Sequence, residues 1–228
     1  MNAGDPNVAA IELVARELGP ITEELVLIGG CAVGLLITDT GRPPNRETKD
    51  VDLVAEVISL QNYYALTARI KRQGFVEGGD HICRWRKGEL IVDVMPAADV
   101  MGGSTNRWYP VVLKSFQKVL LPSGATIQLV SAPVFVATKL EAFLDRGKGD
   151  FTHHDIEDIV NVVDGRAELE QEVKQAADDV REFVRDEFDD LLAQADFTEK
   201  LSWHLPSDSA AQARQPLIIE RMRRIAGL

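Results

Sequence analysis

Apolar residues recur along the first part of the chain at two different spacings. Val8, Ile11, Val14 and Leu18 follow the three-and-four step of one helix face, opened by Asp5-Pro6-Asn7 and closed by Gly19-Pro20. "ELVLIGG" is too short for a helix and reads as a buried strand ending at a glycine pair, after which "CAVGLLI" reads as a helix packed on the sheet. "DTGRPPNRET" is a polar, proline-rich loop, and "DVDLVAEV" returns to a strand. Residues 60–73 repeat the amphipathic helical pattern up to Gly74. "HICRWRKGELIVDVMPA" alternates as a hairpin turning at Lys87-Gly88-Glu89, and "ATIQLVSAP" adds another strand.

The second part is helical. A helix is expected from about 133 to 146, punctuated by Gly147-Lys148-Gly149, and another from near His153 to Asp164-Gly165. "LEQEVKQAADDVREFVRDEFDDLLAQA" reads as one long helix, with Leu169, Val173, Ala176, Val180, Phe183, Val184 and Phe188 at helical spacing and a solvated acidic face. A polar gap from Pro206 to Gln215 precedes a last helix, "PLIIERMRRIAGL". The pattern predicts an α+β fold: a mixed-sheet core over residues 1–131 and a helical C-terminal region over 132–228.

Composition narrows what this fold can do. The 228 residues are 45% hydrophobic, enough for a real core, and carry a net charge of −11. Residues 165–202 hold 12 acids against 5 bases, so most of the negative charge sits on the helical region rather than around the strands. That balance argues against a nucleic-acid coat over the whole chain but leaves room for a local basic groove, and Arg84-Trp85-Arg86-Lys87 is a candidate to stack on a base or track phosphates, or a decorated exposed hairpin. Cys31 and Cys83 lack metal-type spacing and read as a reduced pair. With no basic-then-apolar leader and no stretch near the ~18 apolar residues of a membrane span, a cytoplasmic protein is expected.

Three features could carry chemistry. Gly29-Gly30 follows a strand and opens a helix, where backbone N–H groups can approach a phosphate; a tight turn with no ligand would look the same. Asp50 and Asp52 stand at i and i+2, so a strand points both carboxylates to one face. Their mutual repulsion is relieved by a cation such as Mg²⁺ or Mn²⁺, although many such pairs are solvated loop ends. Asp93 lies among apolar neighbours at the exit of a strand, either as a costly buried acid or as an edge residue facing water. If its strand pairs with the one carrying Asp52, three acids meet, and three carboxylates around two divalent ions serve in-line phosphoryl or nucleotidyl transfer. "GGCAVG" also matches a dinucleotide fingerprint loosely, but Cys31 stands where its middle glycine belongs. His153, His154 and Asp155 read as a helix start and solvent contacts rather than a metal cluster.

Taken in order, Gly29-Gly30, Arg46-x-Thr48-x-Asp50-x-Asp52 and the strand acid Asp93 resemble the polymerase-beta-type nucleotidyltransferases. More closely, the set is similar to the AbiEii/MenT-type nucleotidyltransferase toxins of bacterial toxin–antitoxin systems, with the likeness continuing through Lys139, Arg146, Asp155 and Asp158. It spans residues 25–160, with an echo in "IIERMRRI". The resemblance implies a polymerase-beta-like core that moves an NMP from an NTP to an acceptor, an RNA such as a tRNA 3′ end, with a cognate antitoxin as partner. A small-molecule or protein hydroxyl as acceptor, or an inert nucleotide-binding relative, are the other readings. By the same resemblance Gly29 and Gly30 hold phosphates, Arg46 and Thr48 assist nucleotide binding, and Asp50, Asp52 and Asp93 bind Mg²⁺ or Mn²⁺. Lys139 neutralises the triphosphate, and Asp155 is its catalytic or structural partner.

Overall fold

The computed structural model describes residues 5–79, 83–100 and 105–228. The chain divides into two compact units, one taking the residues up to Leu35 and Pro43–Ser131, the other Leu36–Arg42 and Ala132–Leu228.

The first unit is built on a seven-stranded mixed sheet in the order β3-β4-β5-β2-β1-β7-β6. The strands are β1 (Leu25–Ile28), β2 (Val51–Ala55), β3 (Val76–Glu77), β4 (Arg84–Lys87), β5 (Leu90–Pro96), β6 (Phe116–Leu120) and β7 (Thr126–Val130). β1 is central because all four of its residues are buried, as a strand covered on both faces requires. It pairs antiparallel with β2 and parallel with β7, while β2 pairs parallel with β5. The helices are α1 (Pro6–Leu18), α2 (Gly29–Leu36), α3 (Leu60–Arg72) and the one-turn α4 (Tyr109–Val112). Asp5 caps α1 by accepting from Asn7 N–H, and Ser59 caps α3 through Asn62 N–H.

The hairpin expected over 81–97 is β4–β5, although His81 and Ile82 lie outside the described residues. Its turn is two residues, Gly88-Glu89, rather than three: Lys87 pairs with Leu90, and Gly88 takes the positive φ (60°) of the first turn position. Trp85 is fully buried, so the basic cluster around it offers no stacking platform.

The second unit is helical: α5 (Ala132–Ala142), α6 (His154–Gly165), α7 (Leu169–Gln175), α8 (Asp178–Leu192), α9 (Ala195–Lys200), α10 (Ser209–Gln212) and α11 (Gln215–Ala226). α5 is buried from Ala132 through Leu140. The single helix expected over 169–195 is instead α7 and α8. Ala176 and Ala177 are extended, and Asp178-Asp179 start a new helix whose N-terminal amides favour acids. Leu36–Arg42 joins this unit because Thr38 and Asp39 N–H donate to Gly165 C=O at 3.0 Å and Arg42 pairs with Asp164. Among the described residues no helix is long and apolar enough to cross a membrane.

Candidate active site

Sheet register assembles the acids of the first unit. β2 and β5 run parallel with Asp52 opposite Asp93, and Ile28, the last residue of β1, faces Asp52 from the other side. Asp50 immediately precedes β2, two residues before Asp52. Asp93 is buried at 6% exposure and is not an edge residue, since β4 and β2 flank its strand. Asp50 and Asp93 converge on one atom: Arg84 Nη2 donates to Asp50 Oδ2 at 2.6 Å and to Asp93 Oδ2 at 2.7 Å, while Arg84 Nε donates to Asp93 Oδ1 at 2.8 Å. The hydrogen bond to Asp93 raises the guanidinium pKa, so Arg84 is a permanent cation among these acids.

Gly29 locks against Asp52. Its φ is +70°, and a Cβ built there would lie 1.9 Å from Asp52 Oδ2. Both facts exclude a side chain, so the backbone at the start of α2 comes right up to the carboxylate. Substituting Gly29→Ala is expected to cost about 1–2 kcal/mol from the positive φ alone. Displacement of Asp52 adds to this, and a melting curve should show a fall of roughly 3–8 °C.

The approach loop is held by α1. Asn7 Oδ1 accepts from Thr48 N–H at 2.9 Å and from the Thr48 hydroxyl at 3.1 Å, and Asn7 Nδ2 donates to Arg46 C=O at 3.0 Å. Cys31 Sγ sits 2.7 Å from Thr48 Oγ1 and 3.3 Å from Asp50 C=O. Burial, partly opposed by the Thr48 hydrogen bond and reinforced by the charges of Asp52 and Asp50, pushes the Cys31 thiol up to about 12. Cys31 is therefore a neutral packing group under the acids, and the Thr48 hydroxyl is engaged in holding the loop.

Lys139, Arg146, Asp155 and Asp158 form a second cluster, within the helical unit. Lys139 Nζ lies 3.1 Å from Asp155 Oδ1 and 2.6 Å from Asp158 Oδ2, all three residues being buried. Arg146 donates to both oxygens of Asp155, through Nε at 2.8 Å and Nη2 at 2.7 Å. Burial would raise the Asp155 pKa, but the hydrogen bond from Arg146 and the charges of Lys139 and Arg146 outweigh it and hold the carboxyl at about 2. His153 Nδ1 caps α6 by accepting Asp155 N–H, which leaves His153, His154 and Asp155 a poor metal set although their donor atoms lie within 4.8 Å of one another.

Two contributors escaped sequence reasoning: Arg84, counted only as part of a basic cluster, and Asn7, counted only as part of a cap. Arg84 was discoverable from a two-residue hairpin register, which places it across from Asp93.

Among solved structures, an antigenic nucleotidyltransferase-like protein from Paracoccidioides brasiliensis is similar at 18% identity, covering 92% of this chain and 98% of that one with a TM-score of 0.51. The fold is that of a nucleotidyltransferase. The antibiotic-resistance factor ANT(2'')-Ia is also similar, at 14% identity over 77% of this chain and 88% of that one, with a TM-score of 0.47. No family model and no curated protein matches the chain.

Proposed function

We propose that the protein is a metal-dependent nucleotidyltransferase that moves an NMP from an NTP to an acceptor hydroxyl and releases pyrophosphate. The observation that carries this reading is the Asp52–Asp93 register, with Asp50 joined to Asp93 through Arg84 beside the glycine pair of α2. The donor set suits Mg²⁺ or Mn²⁺: hard carboxylate oxygens from Asp50, just before β2, from Asp52 near its start, and from Asp93 opposite it in the middle of β5. A bound cation there polarises the α-phosphate and offsets the charge of the triphosphate.

The remaining roles belong to the chain itself. Gly29 and Gly30 offer N–H groups at the start of α2 to phosphate oxygens, and Arg46 and Thr48 shape the entry loop. The acceptor oxygen attacks the α-phosphorus, its proton passes to Asp93, and the bond to the β-phosphate oxygen breaks. Lys139 as the counter-charge to the triphosphate, with Asp155 as its partner, is taken from the resemblance to the AbiEii/MenT-type toxins.

The same resemblance supports an RNA 3′ end, such as that of tRNA, as acceptor, and a cytoplasmic toxin controlled by a cognate antitoxin. A second reading, transfer to a small-molecule or protein hydroxyl, is favoured by the net charge of −11, which repels a polyanion. The test incubates the wild type and an Asp52→Ala variant with each α-labelled NTP, Mg²⁺ and total RNA. Asp52-dependent label on RNA supports the first acceptor. Label on protein, or on an added small-molecule alcohol, supports the second, and no Asp52-dependent label anywhere overturns nucleotidyl transfer.

A further inference from the structure

Arg84 opens β4 directly opposite Asp93 and engages both oxygens of that carboxylate, with Nη2 shared to Asp50. Its side chain is 18% exposed, so water screens these pairs only in part. The stem is seated on Gly78, where a Cβ would come within 2.5 Å of Arg84 Cγ, and Gly78 N–H donates to Arg84 C=O at 2.7 Å. A chain that leaves out a side chain at Gly78 makes room for this arginine to lie flat and face inward.

Both Asp93 oxygens are already used by the guanidinium fork. A carboxylate held this way cannot also present those lone pairs to a metal ion. We propose that Arg84 is an internal counter-ion that exchanges with the divalent cation, and that once displaced it binds the polyphosphate of the nucleotide. The inference rests on reading Asp50, Asp52 and Asp93 as cation ligands. Arg84 holds both oxygens of Asp93 and one of Asp50, so a divalent ion that ligates these two carboxylates competes with the guanidinium for them. The freed guanidinium keeps its full charge and its planar fork, the geometry that suits a phosphate. Cation entry and nucleotide capture are thereby coupled through one side chain, and Arg84 offsets the charge of Asp50 and Asp93 until a cation binds.

The test is an electron-paramagnetic-resonance titration of the full chain with Mn²⁺ in the absence of nucleotide. It compares the wild type with Arg84→Met, which keeps the packed stem and removes the charge, and with Asp52→Ala. With the competing cation gone, Arg84→Met is expected to bind Mn²⁺ about tenfold more tightly than the wild type. Asp52-dependent Mn²⁺ binding in the wild type with equal or weaker binding by Arg84→Met overturns the exchange and leaves the cation site standing. No Mn²⁺ binding by either protein overturns the site itself, and the exchange with it. A readout on the wild type alone guards against a misfolded variant: the Arg84 Nε–H proton, followed by nuclear magnetic resonance, is expected to be protected without metal and to exchange rapidly once Mg²⁺ is added. Continued protection at saturating Mg²⁺ overturns the proposal.

Discussion

Replacing Asp52 with alanine is expected to lower nucleotidyl transfer by roughly a thousandfold while leaving the melting temperature unchanged or higher. The two effects have opposite signs because like charges crowd together in the resting protein, whereas the proposed reaction would use the same three acids to hold its cation. Asp52 lies opposite Asp93 across a parallel pair and follows Asp50 by two residues, so its charge adds to two like charges that share a single arginine. Like charges about 4 Å apart repel by about 4 kcal/mol at the effective dielectric of a partly wet site. Removing Asp52 relieves some of that repulsion, and Asp52 is only half-buried, so the cavity left behind is small. In the proposed reaction Asp52 would be a cation ligand, and its loss would remove several kcal/mol of transition-state stabilisation, each 1.4 kcal/mol being about tenfold in rate. Label transfer and thermal melts on the same preparation check both halves. Transfer within about tenfold of wild type, or a melting temperature that collapses, would show that Asp52 supports the fold and not the chemistry.

The strand in "DVDLVAEV" was legible from its apolar run, and it forms as β2 (Val51–Ala55), which carries Asp52, while Asp50 stands just before it. What the sequence could not supply was the neighbour of that strand. β2 lies between β1 and β5, and the β2–β5 pairing is parallel with residues 56–89 between the two strands, so only the folded sheet sets Asp52 beside Asp93. Arg84 was hidden by a single residue. A three-residue turn at 87–89 would face Arg84 with Val92, whereas the observed turn at Gly88-Glu89 faces it with Asp93. Strand register is that sensitive to turn length, and a slip of one exchanges the two faces. β6 went unread because Phe116–Leu120 is a largely exposed edge strand whose apolar residues do not alternate, and β3 because it is two residues long. In the helical unit the apolar spacing runs unbroken from Leu169 to Phe188, so the periodicity conceals the break at Ala176-Ala177 that the Asp178-Asp179 helix start betrays.

Lys139→Met is expected to cost about 3–5 kcal/mol of stability, the usual consequence of taking one partner out of a buried ion pair. For a chain of this size that is a fall on the order of 10 °C in melting temperature. The ammonium sits between Asp155, which is fully buried, and Asp158, at 2% exposure, so its removal leaves two carboxylates in a dry interior with less positive charge to offset them. Arg146 keeps hold of Asp155 in the variant. Asp158→Asn removes one of the two acids that face Lys139, and a double-mutant cycle with Lys139→Met measures the coupling of that pair. Acid gives an independent check. The folded Asp155 carboxyl is held at about 2, well below the ordinary aspartate value, so its contribution is complete above the unfolded value and is lost as pH falls through about 2. Without Lys139 one of the charges that depress this pKa is gone, and acid unfolding should begin at a higher pH than in the wild type. If Lys139→Met instead melts and acid-unfolds like the wild type while label transfer disappears, the lysine acts on the nucleotide. If stability and transfer fall together and Asp158→Asn restores both, Lys139 serves the reaction only by keeping the helical unit folded.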